Sequence, residues 1–145
     1  MNLYADTSAL VKRYIEEPGT EHVYTWIAQA RVVGTAAITQ VEVPAALAKA
    51  VRIGTITPEV ALSAWSAFRS QWAMYYRLQV GETLLDRAEA IAWEQGLRGY
   101  YSVHLAASIL WQEVLKETVV LLTYDRELWR GARAIGQAVL PEQLR

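Results

Sequence analysis

Three acidic residues stand where short apolar segments give way to helices. Asp6 directly follows the run "NLYA", Asp125 follows "VVLLTY", and Glu42 lies in the first turn of the helix after "RVVGTA". If these segments are neighbouring strands of a parallel sheet, their carboxyl ends share one edge and the three carboxylates converge on one cleft. Ligand sets made only of oxygens select a hard divalent ion such as Mg²⁺ or Mn²⁺.

Carboxylates gathered in this way need a cation. Two of them about 4 Å apart repel by roughly 4 kcal/mol at an effective dielectric of 20. A divalent ion relieves the repulsion, lowers the pKa of a bound water and stabilises charge on a phosphoryl oxygen. The pattern therefore favours metal-assisted phosphodiester hydrolysis. The chain has no cysteine, no glycine-rich phosphate loop, no serine-hydrolase elbow and no H-E-x-x-H motif, so other common site chemistries lack their residues.

Each acid also has a purely structural explanation. An aspartate at a helix N-cap accepts backbone N–H groups, which accounts for Asp6 and Asp125. Thr39 and Glu42 have the spacing of a capping box, which accounts for Glu42. In this interpretation the protein is a small α/β domain whose acids only cap helices. His104, on an alanine-rich helix, is predicted to be a packed or hydrogen-bonded structural histidine.

The apolar pattern predicts an α/β fold with a central parallel sheet and helices on both faces, because strand-like and helix-like segments alternate. The predicted strands are "NLYA", "RVVGTA", "YRLQV", "TVVLLTY" and "QAVL". The predicted helices are "DTSALVKRYIEEPG", "TEHVYTWIAQA", "ITQVEVPAALAKAVRIG", "PEVALSAWSAFRSQWAMYY", "GETLLDRAEAIAWEQG", "SVHLAASILWQEVLK" and "DRELWRGARAIG". Residues 1–145 are expected to form a single domain, since no linker or repeat divides them.

Composition limits the partners. The formal net charge is −1, so no overall basic field attracts nucleic acid, and an RNA substrate requires a local basic patch. Cations near the acids that suit this role are Lys12, Arg13, Arg98 and Arg126. No apolar run approaches the roughly 20 residues of a membrane span, and the first residues lack the apolar core of a signal peptide. A cytoplasmic protein is expected, with no membrane partner.

Four motifs, in this order along nearly the whole chain, resemble those of PIN-domain proteins, in particular the VapC-type toxins of toxin–antitoxin pairs. They are "LYADTSALVKRYIEEPGTEHV", "TQVEVPAAL", "LRGYYSVHLAAS" and "LLTYDREL". The resemblance implies a PIN-like fold and a Mg²⁺- or Mn²⁺-dependent endoribonuclease whose catalytic and metal-binding acids match Asp6, Glu42 and Asp125. It also implies an RNA substrate, a cognate antitoxin whose tail lies in the active-site groove, and a homodimer.

One position departs from the family pattern. A further acid belongs at the start of the "SVHLAA" helix, and Tyr101 stands there. A phenol has a pKa near 10 and is neutral at pH 7, so it does not replace a carboxylate on Mg²⁺. Three explanations are open: a natural variant with weakened metal binding, a degenerate member, or an introduced change that disarms a toxic enzyme. The expected function is thus a ribonuclease toxin weakened or inactive in this form, with an inactive antitoxin- or RNA-binding PIN scaffold as the alternative. Ser102 is predicted to cap the helix in either case.

Overall fold

The computed structural model describes residues 1–145 as a five-stranded sheet with seven α-helices. The strands are β1 (Asn2–Ala5), β2 (Val32–Ala36), β3 (Tyr76–Leu78), β4 (Val119–Leu122) and β5 (Ala138–Leu140). The helices are α1 (Thr7–Tyr14), α2 (Thr20–Gln29), α3 (Thr39–Arg52), α4 (Pro58–Gln71), α5 (Glu82–Gln95), α6 (Gly99–Leu115) and α7 (Arg126–Ala134). None of the helices combines the length and the apolar character of a membrane span.

The sheet runs in the order β3-β2-β1-β4-β5, and every neighbouring pair is parallel. The central strand β1 therefore has β2 on one side and β4 on the other. Ala5 pairs with Leu122 in register, and the backbone N–H of Asp6 donates to the Leu122 carbonyl at 3.2 Å. The carboxyl ends of β1, β2 and β4 thus form one edge of the sheet, which is where the predicted site residues begin.

Both faces of the sheet are covered, because successive side chains of each buried strand point to opposite sides. On β1, Leu3 belongs to a core with Leu10 and Leu122, whereas Tyr4 belongs to a second core with Leu105. All five of these side chains are essentially inaccessible to solvent. The α/β fold with a central parallel sheet and helices on both faces is confirmed.

Helix α6 approaches the sheet unusually closely. A Cβ at Gly34 of β2 would lie 2.6 Å from the Trp111 ring of α6, so only glycine fits at this position. The buried face of the helix is built from small residues, including Ala106, Ala107 and Ser108. The close approach fixes the first turns of α6 over the carboxyl edge of the sheet, which is the edge that carries the acids.

The helix predicted to run from Pro58 to Tyr76 is shorter than expected. Helix α4 ends at Gln71, a single 3₁₀ turn covers Trp72–Met74, and Tyr76 already begins β3. The predicted strand "YRLQV" correctly began at Tyr76, which pairs with Gly34 in the sheet. The predicted helix end was wrong, because it overlapped this strand and helical periodicity does not reveal a sheet partner 42 positions away. Phe68 and Tyr75 are nevertheless buried together in one core, as their spacing indicated.

Candidate active site

Asp6 lies at the carboxyl end of β1 and is the N-cap of α1. Its Oδ1 accepts the backbone N–H of Ala9 at 3.0 Å and the hydroxyl of Ser8 at 2.7 Å, and its Oδ2 accepts the hydroxyl of Thr123 at 2.6 Å. Only 3% of the residue is exposed. Burial raises the pKa of Asp6, although the nearby His104 and these hydrogen bonds oppose the rise. The ionised carboxylate is thus held in place but poorly solvated, a situation that a cation would relieve.

Asp125 is the N-cap of α7. Its Oδ1 accepts the backbone N–H of Leu128 at 3.1 Å, and its own N–H donates to the Thr123 hydroxyl at 3.0 Å. Its Oδ2 accepts a hydrogen bond from the Tyr101 hydroxyl. Thr123 therefore bridges the two acids, because the same hydroxyl donates to Asp6 and accepts from the Asp125 backbone.

The bridging role of Thr123 gives a prediction. The residue is fully buried, so Thr123→Val keeps its shape but leaves an oxygen of Asp6 and the N–H of Asp125 without partners. We expect the unfolding free energy to fall by about 2–4 kcal/mol, as for stranded buried polar groups. Urea denaturation measures the change, with Thr123→Ser as the control that keeps the hydroxyl. A valine variant as stable as the natural chain would show that the bridge contributes nothing.

The N-cap explanation holds for Asp6 and Asp125 but covers only one oxygen of each. The second oxygen of each carboxylate is bound by a side chain from another element, Thr123 for Asp6 and Tyr101 for Asp125. A simple cap needs no such second contact, since one oxygen suffices for the backbone N–H. The arrangement therefore shows two carboxylates whose orientation is fixed at both oxygens.

Glu42 lies in the first turn of α3, where its Oε1 accepts the Thr7 hydroxyl at 2.8 Å and lies 2.7 Å from His104 Nε2. Burial alone would raise the pKa of Glu42. The hydrogen bond and charge interaction with His104, together with the Thr7 hydrogen bond, outweigh burial and hold the pKa below its ordinary value. Glu42 is therefore kept as a carboxylate, joined through Thr7 to the helix that Asp6 caps.

The capping-box explanation of Glu42 was wrong. The N-cap of α3 is Ile38, which makes no side-chain hydrogen bond, and Thr39 is already helical. The Thr39 hydroxyl instead pairs with that of Thr35 at 2.8 Å inside the protein. Glu42 is consequently free of a helix-capping role, and its carboxylate serves the contacts to Thr7 and His104.

Tyr101 lies in the first turn of α6 with its ring against that of Tyr100, the two centroids 4.2 Å apart. Burial and the hydrogen bond to Asp125 both raise its pKa, so the phenol stays protonated and acts as a donor. Ser102 does not cap the helix as predicted. The N-cap is Arg98, and the Ser102 hydroxyl donates back to the carbonyls of Leu97 and Arg98, because it already lies inside the first turn.

The carboxylate oxygens at this edge are the type of ligand that a hard divalent ion prefers, but fewer than three such side chains lie close together. Asp6, Glu42 and Asp125 offer only carboxylate oxygens, the ligands that Mg²⁺ and Mn²⁺ prefer. No three acidic or histidine side chains, however, lie close enough together to hold one ion. Mg²⁺ is commonly bound by one or two carboxylates, with water and substrate phosphates completing its shell. The residues therefore fit an ion of that class, and Tyr101 already occupies one oxygen of Asp125.

Two of the four candidate RNA-binding cations are already engaged. Lys12 lies 3.4 Å from Glu17, has a 12% exposed side chain and stands 4.6 Å above the Tyr124 ring. Arg13 donates to Gln71 at 3.3 Å. Both side chains therefore pack against this chain's own residues.

The other two cations are exposed beside Asp125. The Arg98 side chain is 65% exposed and lies 3.7 Å from Glu127, a distance at which a surface ion pair is weak. Arg126 follows Asp125 directly, is exposed and forms no ion pair. These two arginines thus provide positive charge next to the acids, whereas Lys12 and Arg13 do not stand free.

Sequence reasoning missed the polar residues that support the acids from within the core. His104 was expected to be structural, and it is buried and hydrogen-bonded, but its contact with Glu42 was not anticipated. Tyr4 was not considered at all, although its hydroxyl lies 2.7 Å from His104 Nδ1. A buried tyrosine needs a partner for its O–H, so its place on a strand predicted to be buried was the available signal.

Comparison with known proteins identifies the family. No protein-family profile matches the chain. Ribonuclease VapC45 and ribonuclease VapC49, from two strains of Mycobacterium tuberculosis, are each 30% identical to it over 142 residues, which span 98% of this chain and 96% of the relative. The chain belongs to the VapC ribonuclease family. The similarity to PIN-domain VapC-type toxins is thereby confirmed.

The solved structures agree on the fold of this VapC-family chain. A toxin–antitoxin complex from Klebsiella pneumoniae contains a chain that superimposes with a TM-score of 0.66 over the full length of both chains, at 14% sequence identity. A likeness at that identity shows the fold alone. The VapC-family chain therefore shares this fold, while its site chemistry is argued from its own residues.

Proposed function

We propose that this chain is the toxin of a toxin–antitoxin pair, an endoribonuclease that hydrolyses RNA phosphodiester bonds with Mg²⁺ or Mn²⁺ held by Asp6, Glu42 and Asp125, directly or through water. The observation that carries the proposal is the placement of two acids at one edge of the sheet, where the buried Thr123 hydroxyl donates to the Asp6 carboxylate and accepts the backbone N–H of Asp125. The near full-length similarity to proteins named ribonuclease VapC supports it. Residues 1–145 act as one PIN domain in this proposal.

The chain's own residues supply binding and orientation. When bound, the ion would activate a water and stabilise charge on the phosphoryl oxygen. Asp6 and Asp125 present carboxylate oxygens that Thr123, Ser8 and the two helix N-termini keep from rotating. The positive charge of the ion would favour the ionised form of Asp6, against the burial that raises its pKa.

Substrate and partner follow from the surroundings of the site. The exposed arginines Arg98 and Arg126 flank Asp125 and suit RNA phosphates. A cognate antitoxin and a homodimer are proposed because this fold recurs in a toxin–antitoxin complex, and because large apolar side chains are exposed. Trp93, Met74 and Val114 are each more than 75% exposed. A cytoplasmic location is proposed, because the RNA that such an enzyme would cleave lies there.

A second function is favoured by one specific contact. Tyr101 donates to Asp125 at the position where the family has an acid, so the site lacks one ligand and has another partly occupied. A chain in that state binds an antitoxin or RNA without cleaving it efficiently. The alternative is therefore an inactive PIN scaffold, and divalent-metal binding separates it from the enzyme.

The test is cleavage of single-stranded RNA by the purified chain with Mn²⁺, with Mg²⁺ and with EDTA. The enzyme proposal predicts slow cleavage that requires the metal and that Asp125→Asn abolishes, since this change removes the charge yet keeps the helix cap. Cleavage that persists in EDTA or in Asp125→Asn contradicts the proposal. Absence of both cleavage and Mn²⁺ binding assigns the chain to the scaffold alternative.

A further inference from the structure

A line of hydrogen bonds passes through the core and ends at Glu42. The backbone N–H of Ala36 lies 3.1 Å from the Tyr4 hydroxyl, which lies 2.7 Å from Nδ1 of His104. Nε2 of His104 lies 2.7 Å from Oε1 of Glu42. Tyr4 is fully buried and His104 is 2% exposed, so within this line of hydrogen bonds only Glu42 contacts water.

The bond directions follow from the two ends of the line when the imidazole is neutral. A backbone N–H only donates, so the Tyr4 oxygen accepts from Ala36, and the Tyr4 O–H donates to Nδ1 of a neutral ring whose proton lies on Nε2. A carboxylate only accepts, which matches an Nε2–H that donates to Glu42.

His104 is therefore too deeply buried to touch a substrate and acts through Glu42. The Tyr4 and His104 rings meet edge to face with centroids 5.9 Å apart, which fixes the plane of the imidazole. A glutamate on a helix surface has several rotamers, and a rigid donor below it together with the Thr7 hydroxyl selects one. Residues that hydrogen-bond to a metal-binding carboxylate commonly affect the affinity of the site for the ion.

We propose that Tyr4 and His104 are positioning residues, which hold the Glu42 carboxylate in the orientation that a divalent ion at this site requires. The proposal rests on the proposed metal-dependent function. It adds that an N–H donor at the Nε2 position of His104, 2.7 Å from the Glu42 carboxylate, is needed for full metal affinity. A purely structural role for the same residues would affect folding stability and leave metal affinity unchanged.

Two substitutions of His104 separate the roles. The amide of glutamine reaches the place of Nε2, so His104→Gln retains the donor to Glu42. The shorter asparagine mimics Nδ1, so His104→Asn removes that donor. His104→Gln loses the contact of Nδ1 with Tyr4 and His104→Asn loses the contact of Nε2 with Glu42, so each variant gives up one hydrogen bond and similar losses of stability are expected. Tyr4→Phe removes the hydroxyl that orients the ring and forms a third variant.

The measurement is Mn²⁺ affinity by electron paramagnetic resonance, in the natural chain and in a Tyr101→Asp background. We expect His104→Asn to weaken binding by about 10- to 100-fold, the range found for groups that orient metal ligands. His104→Gln should stay within about 3-fold of the parent, with Tyr4→Phe between the two. Equal affinities of the asparagine and glutamine variants would overturn the inference.

A second measurement needs no metal. In ¹⁵N spectra of the folded protein, His104 is expected to show a protonated Nε2, an unprotonated Nδ1 and slow exchange of the ring proton. Protonation at Nδ1 of the neutral ring would overturn the inference by itself. If the tautomer is as expected but no variant binds Mn²⁺, the proposed metal-dependent function fails, and the positioning role fails with it.

Discussion

Tyr101→Asp is expected to raise Mn²⁺ affinity by about 10-fold or more and the rate of RNA cleavage by about 100-fold. Such gains need only a small change in interaction free energy, because each tenfold in rate corresponds to about 1.4 kcal/mol. The change has two effects at Asp125. It removes the phenol that donates to Oδ2, and it supplies a carboxylate at the start of α6. The phenol offers no charge in exchange, because burial and Asp125 both raise its pKa.

Tyr101→Phe separates the two effects of that substitution. Phenylalanine keeps the ring against Tyr100 but frees the Asp125 oxygen without adding a ligand. If the hydroxyl competes with the ion, Mn²⁺ affinity in this variant lies between those of the natural chain and Tyr101→Asp. If the natural chain binds Mn²⁺ weakly only because it lacks a carboxylate at position 101, the phenylalanine variant has the same Mn²⁺ affinity as the natural chain. Calorimetric titration of all three proteins decides, and a Tyr101→Asp variant that binds no tighter than the natural chain contradicts the expected gain.

Asp6→Asn is expected to weaken Mn²⁺ binding by more than about 100-fold and yet to stabilise the metal-free protein at neutral pH. Loss of a direct ligand exceeds the effect of groups that only orient ligands, which reaches about 100-fold. Asparagine still caps α1 through its amide oxygen. Its NH₂ group donates to the Thr123 oxygen, whose own proton turns to Ser8 Oγ at 3.3 Å. The substitution removes a buried, poorly solvated charge, so we expect a gain of about 0.5–2 kcal/mol, the size of a typical stabilising substitution.

The stabilisation depends on pH in a defined direction. Burial raises the pKa of Asp6, so the folded protein binds this proton more readily than the unfolded chain. The contribution of Asp6 to stability therefore falls as pH rises from its unfolded pKa of about 3.9 through the higher folded value. Asparagine has no such dependence, so its advantage is present at pH 7 and shrinks on acidification.

Thermal unfolding in EDTA at several pH values measures this difference. The exposed Asp86 on α5 provides the control, and Asp86→Asn should leave both stability and Mn²⁺ affinity nearly unchanged. An Asp6→Asn variant that is less stable than the natural chain at pH 7 would show that the hydrogen bonds of the carboxylate to Ser8 and Thr123 outweigh the cost of burying its charge.

The elements of the fold were predictable wherever local patterns determine them. The continuous apolar run of β4 indicated a strand buried on both faces, and Asp125 marked the start of α7 as its cap. The end of α4 was not predictable in this way. Tyr76 leaves the helical pattern because β2 offers it a pairing partner, and long-range pairing is invisible to a local period.

The acids of the site were predictable from the sequence, but the residues that hydrogen-bond to them were not. Strand ends directed attention to Asp6, Glu42 and Asp125 from single segments of sequence. The contacts that orient them join residues far apart, since His104 lies 62 positions from Glu42 and 100 from Tyr4. The Thr39–Glu42 spacing misled for a local reason, because the buried Thr35, only four positions away, takes the hydroxyl that a capping box would use.

The most direct measurement of the proposed metal centre is a crystal structure of Tyr101→Asp grown with Mn²⁺, with the ion located by its anomalous scattering. We predict one strong peak at the carboxyl edge of the sheet, bonded to carboxylate oxygens of Asp6 and Asp125 and linked to Glu42 directly or through water. An ion bound elsewhere, or no ion beside an intact and well-ordered site, would contradict a metal-dependent nuclease built on these acids.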